Sequence, residues 1–352
     1  MTSKGGERTM RLLRKAILIE GCALAMICAW NVTSQAQTED PSTRLHRVGG
    51  LYSLDEMHEK PWHLKMDVTV FTDQGQNPQP GTVEVWSAGK NRRVVFDFGV
   101  AKLTRLNTDA DYYRSTTDKE IPYRAMELLD REMSAGPSHE DLQRDFAGMQ
   151  THAFGKLKLE CIMLTPTAQM KNAPLGLFPT YCLEPGSDRL VLMYDVGDET
   201  TMIQQQGTFR GHTAPIKLQI VENKVLVATA AVTQLSGYEP QPDDFVPAAD
   251  MKKGGDIARM SGAVIAGNRL TFVQPAYPDL AKLRHLSGTV VLRALIDREG
   301  HVRSLRPTNN ADTDFILSAV AAVRQWTYKP YLLNGEPTEV DTTITVNFAL
   351  NR

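Results

Sequence analysis

The side chains able to do acid–base, nucleophilic or metal chemistry are scattered along this sequence. Histidines stand at positions 46, 58, 63, 139, 152, 212, 285 and 301, and none falls into an HExxH or similar ligand spacing. His58 and His63 are the nearest pair, but five residues and Pro61 lie between them, a poor geometry for one shared ligand face. Asp243 and Asp244 lie in a proline-rich stretch and read as a solvated loop pair. No Gly-x-Ser-x-Gly, P-loop or GxGxxG stands between a strand and a helix. We therefore expect no enzyme, no catalytic residue, no metal and no cofactor. Cys161 and Cys182 have no second Cys or His two to four residues away, so zinc is not expected there. In an oxidising compartment they read as a disulfide closing a loop of about 20 residues, a stabilisation of roughly 3 kcal/mol. Two buried thiols are the alternative.

The first forty residues carry an address. Lys4, Arg8, Arg11, Arg14 and Lys15 precede an apolar stretch from Ala16 to Trp30, broken by Glu20, and Ser34-Gln-Ala36 offers a small-x-small cleavage site. This is the layout of a secretory signal peptide over 1–36. An uncleaved inner-membrane anchor is the alternative, made costlier by Glu20 and by a run shorter than the roughly 20 residues of a span. Lipidation at Cys22 or Cys28 is a third, with poor flanking residues. The expected location is the periplasm. The whole chain has a net charge of −2, and removal of 1–36 leaves about −5. Such a balance gives no support for nucleic-acid binding, which goes with a basic excess.

The elements that follow point to an α+β fold. Residues 37–60 read as a loose segment. From Trp62 to Val70 apolar and polar residues alternate, the period of a half-buried strand. Further strands are expected at 82–86, 92–98, 112–117, 157–164, 180–183, 189–194, 201–210, 216–221 and 225–235. One helical interlude is expected at 123–133, with Ser138 capping a second segment. We expect residues 61–238 to form a curved antiparallel sheet over helices. The segments Trp62-His-Leu-Lys-Met-Asp-Val68, Gly81-Thr-Val-Glu-Val-Trp86 and Arg92-Arg-Val-Val-Phe96 give it a pattern that resembles the LolA-like half-barrel of periplasmic lipoprotein carriers. That resemblance implies an apolar concave face and a lipid or lipoprotein ligand. Trp62, Met66, Trp86, Phe96 and Met193 would serve equally well as plain core. The prolines between Gly237 and Pro247 mark a linker, taken as 239–269.

The last hundred residues are the most informative. Pro278 suits the first turn of a helix whose Leu280, Leu283 and Leu286 form an apolar face, and Gly288 ends it. Residues 289–297 and 301–306 read as strands around the turn Arg298-Glu-Gly300. Asp312 caps a helix with the stripe Phe315, Ile316, Ala319, Val320, Val323 and Trp326. The final strand, 340–350, alternates Val340, Thr342, Ile344, Val346 and Phe348 with Asp341, Thr343, Thr345 and Asn347.

The order helix, strand, hairpin, strand, helix, strand, with Gln274-Pro-Ala-Tyr-Pro278, Asp297-Arg-Glu-Gly-His-Val302, Arg324-Gln-Trp-Thr-Tyr-Lys-Pro330 and Val346-Asn-Phe348, resembles the C-terminal domain of TonB energy transducers over 273–350. The domain is taken as 270–352. The resemblance implies capture of an extended segment, the TonB box, of an outer-membrane receptor by β-augmentation. It places Gln274, Pro275, Tyr277 and Pro278 near the receptor, with the final strand and its Thr343, Thr345 and Asn347 as the receiving edge. Packing is the competing role for Tyr277, Trp326 and Tyr328. If the N-terminus is an anchor, the inner-membrane motor (ExbB/ExbD) becomes a further partner. Two departures stand out. The apolar run has no histidine, and a globular stretch of about 200 residues stands where transducers carry an extended spacer.

Overall fold

Period-two alternation produces strands wherever one face can be buried, and here it does so over most of the chain. The computed structural model describes residues 39–350 except 73–74, 116–118, 120, 171, 197–198, 255–256 and 334. The expected signal segment, 1–36, lies outside the described residues. Among the described residues no helix is long and apolar enough to cross a membrane.

After a first helix, α1 (Pro41–Leu51), come β1 (Trp62–Thr72), β2 (Asn77–Ala88), β3 (Asn91–Asp97), β4 (Lys102–Asn107) and β5 (Tyr112–Ser115). Helices α2 (Tyr123–Met133) and α3 (His139–Arg144) interrupt the strands. The sheet resumes with β6 (Phe146–Phe154), β7 (Leu157–Thr165), β8 (Thr180–Leu183), β9 (Leu190–Asp195), β10 (Glu199–Phe209), β11 (His212–Glu222), β12 (Val225–Gly237) and β13 (Met251–Lys253). These make one curved antiparallel sheet, ordered β13-β5-β4-β3-β2-β1-β12-β11-β10-β9-β8-β7-β6. Helix α2 turns Ala125, Leu128, Leu129 and Met133 onto the strand residues Trp62, Leu64, Met66, Val83, Phe96 and Leu218. Trp62, Met66 and Phe96 have no exposure and Met193 has 3%, so these residues are core. Trp86 stacks between His63 and Arg93. Cys161 and Cys182 are directly opposite on β7 and β8 and are joined by a disulfide.

The remaining elements build a smaller unit: β14 (Ala258–Arg259), α4 (Gly262–Ala266), β15 (Arg269–Thr271), α5 (Asp279–Leu283), β16 (Gly288–Ile296), β17 (Val302–Pro307), α6 (Thr313–Val323), β18 (Thr327–Tyr328), β19 (Tyr331–Leu333), β20 (Glu336–Thr338) and β21 (Val340–Phe348). Its main sheet runs β14-β21-β16-β17, with β15 paired to β18 and β19 to β20. The inner face (Val290, Leu292, Ala294, Ile296, Ile344, Val346) is covered by Phe315, Ile316, Ala319, Val320 and Val323 of α6. Asp312 caps α6 by accepting from the Asp314 N–H. In the β16–β17 turn Gly300 has φ 93°, and a Cβ there would overlap the Tyr328 carbonyl oxygen.

Several expectations need correction. Residues 41–51, read as loose, are helical because Asp40 caps the Thr43 N–H and Leu45 and Val48 are fully buried. Arg44 is buried with them and is held by Glu160 at 2.6 Å. The stretch 239–269, read as linker, contributes β13 to the large sheet and β14, α4 and β15 to the small unit. The expected apolar face of the helix after Pro278 is turned outward: α5 has only five residues, Ala281 is its buried one, and Leu280 and Leu283 are 55% and 77% exposed.

Arginines join the small unit to the large sheet and its helices. Arg306 of β17 pairs with Asp141 and Asp145, and Arg303 with Asp130. Arg324 reaches Glu222 at 3.0 Å and donates to the Val196 carbonyl. Beneath Arg324, Arg124 holds Glu127 and Glu199 at 2.5 Å each and Glu222 at 2.7 Å. Burial, reinforced by the Glu199 carboxylate, pushes Glu127 up to about 8. Burial also acts on Glu199, but the Glu127 hydrogen bond and the Arg124 and Arg131 guanidiniums outweigh it and hold Glu199 at about 2. Glu132 of α2 is 1% exposed, neither of its carboxyl oxygens has a hydrogen-bond partner, and burial raises it well above the ordinary carboxyl range. For Glu127 and Glu132 the folded chain therefore holds protons that the unfolded chain releases near 4.5. Their stabilising contribution is complete below that value and is lost as pH rises toward the folded values. Chemical denaturation of the full chain from pH 5 to 8 will show stability falling with pH. Glu127→Gln and Glu132→Gln will each flatten that slope, and an unchanged slope in both variants would refute the assignment.

Candidate binding cleft at the C-terminal sheet

Along a strand the N–H and C=O of one residue point to the same side, and the side alternates. Two observations fix the phase for β21. Ala258 N–H donates to the Glu339 carbonyl at 2.8 Å and Met260 N–H to the Asp341 carbonyl at 3.0 Å, so odd-numbered residues aim away from β16. On the other flank, Val291 lies opposite Thr345 but bonds toward β17, through Thr308 N–H and the Asn309 side chain. The outward groups of β21 thus belong to Asp341, Thr343, Thr345 and Asn347. The last three also have exposed side chains.

The edge is not open along its whole length, contrary to the expectation for the final strand. β14 pairs in parallel with Val340 and Asp341, and Thr342 Oγ1 donates to the Met260 carbonyl at 2.9 Å. Gly262 then lies so close that a Cβ would overlap the Thr343 carbonyl oxygen. The chain's own segment 258–262 therefore occupies the edge through Thr343. Thr345 and Asn347 retain unbonded outward backbone groups among the described residues. The Asn347 side chain is tied to Thr289 Oγ1 at 2.8 Å.

Beside this open stretch lies a cleft of about 280 Å³. One wall is Thr345 to Ala349; the other is Arg269, Phe272, Gln274, Pro275, Tyr277 and Trp326. The second wall is held rigidly. The β15–β18 pairing fixes Arg269 and Thr271, and Trp326 Nε1 donates to the Val273 carbonyl at 2.9 Å. The Arg269 guanidinium lies 4.4 Å from the Trp326 ring centroid and 4.2 Å from that of Phe272. Tyr277 meets Phe315 and Phe348 edge-on at 5.6 and 5.9 Å and donates its hydroxyl to the Leu286 carbonyl. Burial pushes the Tyr328 hydroxyl up to about 12.

The structure thus brings Gln274, Pro275, Tyr277, Thr345 and Asn347 into one cleft. It does not bring Pro278, which lines a neighbouring apolar groove with Leu280 and Leu317. Thr343 is covered. Sequence reasoning missed Arg269, the last residue of the presumed linker, and Phe272, just inside the presumed domain. Their signal was an arginine and an aromatic just ahead of Gln274-Pro275. Among the described residues no group of three or more His, Cys, Asp or Glu could hold a metal ion.

This geometry coincides with a known domain. Residues 273–350 match the family model described as Gram-negative bacterial TonB protein C-terminal. Residues 273–350 form a TonB-type C-terminal domain. A curated relative, protein TonB of Vibrio cholerae serotype O1, is 32% identical over 79 residues, covering 22% of this chain. The match spans about a third (32%) of that relative's length. Solved structures similar to the larger part include a DUF1329 family protein from Desulfovibrio piger (9% identity, 60% of this chain and 99% of that one, TM-score 0.39). A LolA superfamily protein from Nitrosomonas europaea is another (7% identity, 59% and 98%, TM-score 0.37).

Trp326 anchors the cleft wall of the TonB-type domain, so Trp326→Ala should destabilise the chain by about 3–5 kcal/mol. Tyr277→Phe, which removes one hydrogen bond and keeps the ring packing, should cost about 0.5–1.5 kcal/mol. Denaturant unfolding measures both, and equal effects would contradict the described packing.

Proposed function

We propose that this chain is a periplasmic peptide-capture protein. Its TonB-type domain would take an extended segment, the TonB box of an outer-membrane receptor, as an added strand on β21. The observation that carries this reading is the coincidence of unbonded outward backbone at Thr345 and Asn347 with a preformed cleft walled by Gln274, Pro275 and Tyr277. Main-chain hydrogen bonds would supply affinity, and the cleft would select side chains. Because segment 258–262 already fills the edge as far as Thr343, the visitor would be seated at 345–349 rather than along all of β21. The family implies a receptor partner and a role in transport across the outer membrane. A link to an inner-membrane motor would further require the N-terminus to remain an anchor.

The carrier reading finds less support. Of the side chains expected to line a lipid hollow, Trp62, Met66 and Phe96 are packed under α2, and Met193 is buried in a separate cluster with Leu45 and Val48 of α1. The cleft of about 490 Å³ beside α2 sets Arg92, Arg105, Arg131, Asp130 and Asp141 among Val85, Val94, Leu129 and Met133, a wall whose charged groups an acyl chain would have to desolvate.

Titrating the full chain with TonB-box peptides and following backbone amides should shift Thr345, Asn347 and their neighbours. Thr345→Pro removes one outward N–H and leaves the β16 ladder intact. It should weaken binding at least tenfold without altering the fold, and unchanged affinity would refute the seat.

A further inference from the structure

An exposed sheet edge offers unpaired backbone to any passing strand, and proteins blunt such edges with short strands, lysines or proline. The two ends of the large sheet differ in this respect. The β13 end is three residues long and carries Lys252 and Lys253, the latter paired with Asp111. The β6 end is nine residues long, Phe146-Ala-Gly-Met-Gln-Thr-His-Ala-Phe154, and contains no Asp, Glu, Lys, Arg or Pro, in a chain that is 23% charged. Phe146 and Met149 on it are 52% and 43% exposed. Among the described residues no strand lies beyond β6.

The occupant is written in the strand itself. The two ends of β6 mirror each other, Phe146 with Phe154 and Ala147 with Ala153, about a central Gln150 whose side chain donates to the Ala173 carbonyl at 3.1 Å; the inner pairs, Gly148 with His152 and Met149 with Thr151, differ. We propose that β6 is the interface for a second copy of this chain, paired antiparallel about a twofold axis at Gln150. In that register Phe146 lies opposite Phe154 of the second copy, Ala147 opposite Ala153, Gly148 opposite His152 and Met149 opposite Thr151. Small residues meet small ones near both ends, aromatics close the ladder, and no like charges face each other. A twofold contact uses the same patch on both copies and closes the assembly at two, which removes the exposed edge. The disulfide joining β7 to β8 stiffens the strands behind the pairing edge.

Sedimentation of the full chain over a range of concentrations tests this. The chain should reach a dimer and go no further. Met149→Lys and Thr151→Lys alter exposed side chains, so both should fold and melt as the parent does, yet each should weaken the dimer at least tenfold. Register is tested by charge exchange: Met149→Lys mixed with Thr151→Glu should associate more tightly than either variant alone, because these positions face each other across the axis. A chain that stays monomeric up to about 100 µM, where weak dimers already form, overturns the proposal. So does a dimer indifferent to both lysines, or one that the charge exchange fails to restore.

Discussion

A strand satisfies only half of its backbone groups with each neighbour, so the last strand of any open sheet must be paired, covered or defended. This constraint organises the whole molecule. The small sheet ends at β14, two residues long, which closes the first part of β21 and stops. The flank of β17 lies against an arginine-linked surface: Arg303 and Arg306 reach Asp130, Asp141 and Asp145. On this small sheet, what remains unsatisfied among the described residues is a short run, Thr345 and Asn347, beside a cleft that the Gln274-Pro275 segment helps to wall.

The ion pairs that seat the small unit on the large sheet differ in character. Asp130 is 65% exposed at its side chain, and such pairs contribute little because water screens them. Within the large part, by contrast, the Arg124–Glu199 pair is 6% exposed on both sides, and breaking it would leave a buried charge behind. Arg324 connects to that buried group from the end of α6, two residues before Trp326. The aromatic wall of the cleft and the polar seam under α2 are therefore linked through one short stretch of chain, Arg324 to Trp326.

How legible this was depended on period and on distance. Helix α6, with a buried residue at nearly every apolar position, and β21, with strict alternation, could be read directly because one face of each is fully buried. The strand β6 could not: Gly148, Gln150, His152 and two alanines carry little strand propensity, and its pairing with β7 is what makes it a strand. α1 was hidden because, beyond its Asp40 cap, it is held by burial of Leu45 and Val48 and by Arg44 reaching Glu160, more than a hundred residues away. In the cleft, the Gln274-Pro275-Ala276-Tyr277 motif was visible as a family feature. Arg269 and Phe272 were not, since their value lies in stacking on Trp326 from the far end of the chain. The occupation of β21 by 258–262 was equally hidden, because two-residue parallel pairing leaves no periodic trace.

The passage from the large sheet to the small one is very short. Lys253 closes β13 and Ala258 opens β14, so at most four residues, about 14 Å of chain when stretched, lie between them. If the terminal domain is tugged through a bound peptide, tension arrives at β13 almost at once. That ribbon is held to β5 by three residue pairs at the rim of the sheet, an arrangement that peels one rung at a time instead of resisting all together. Its release would lengthen the tether back toward Gly237 while the far side of the sheet, stitched by the disulfide, stays whole.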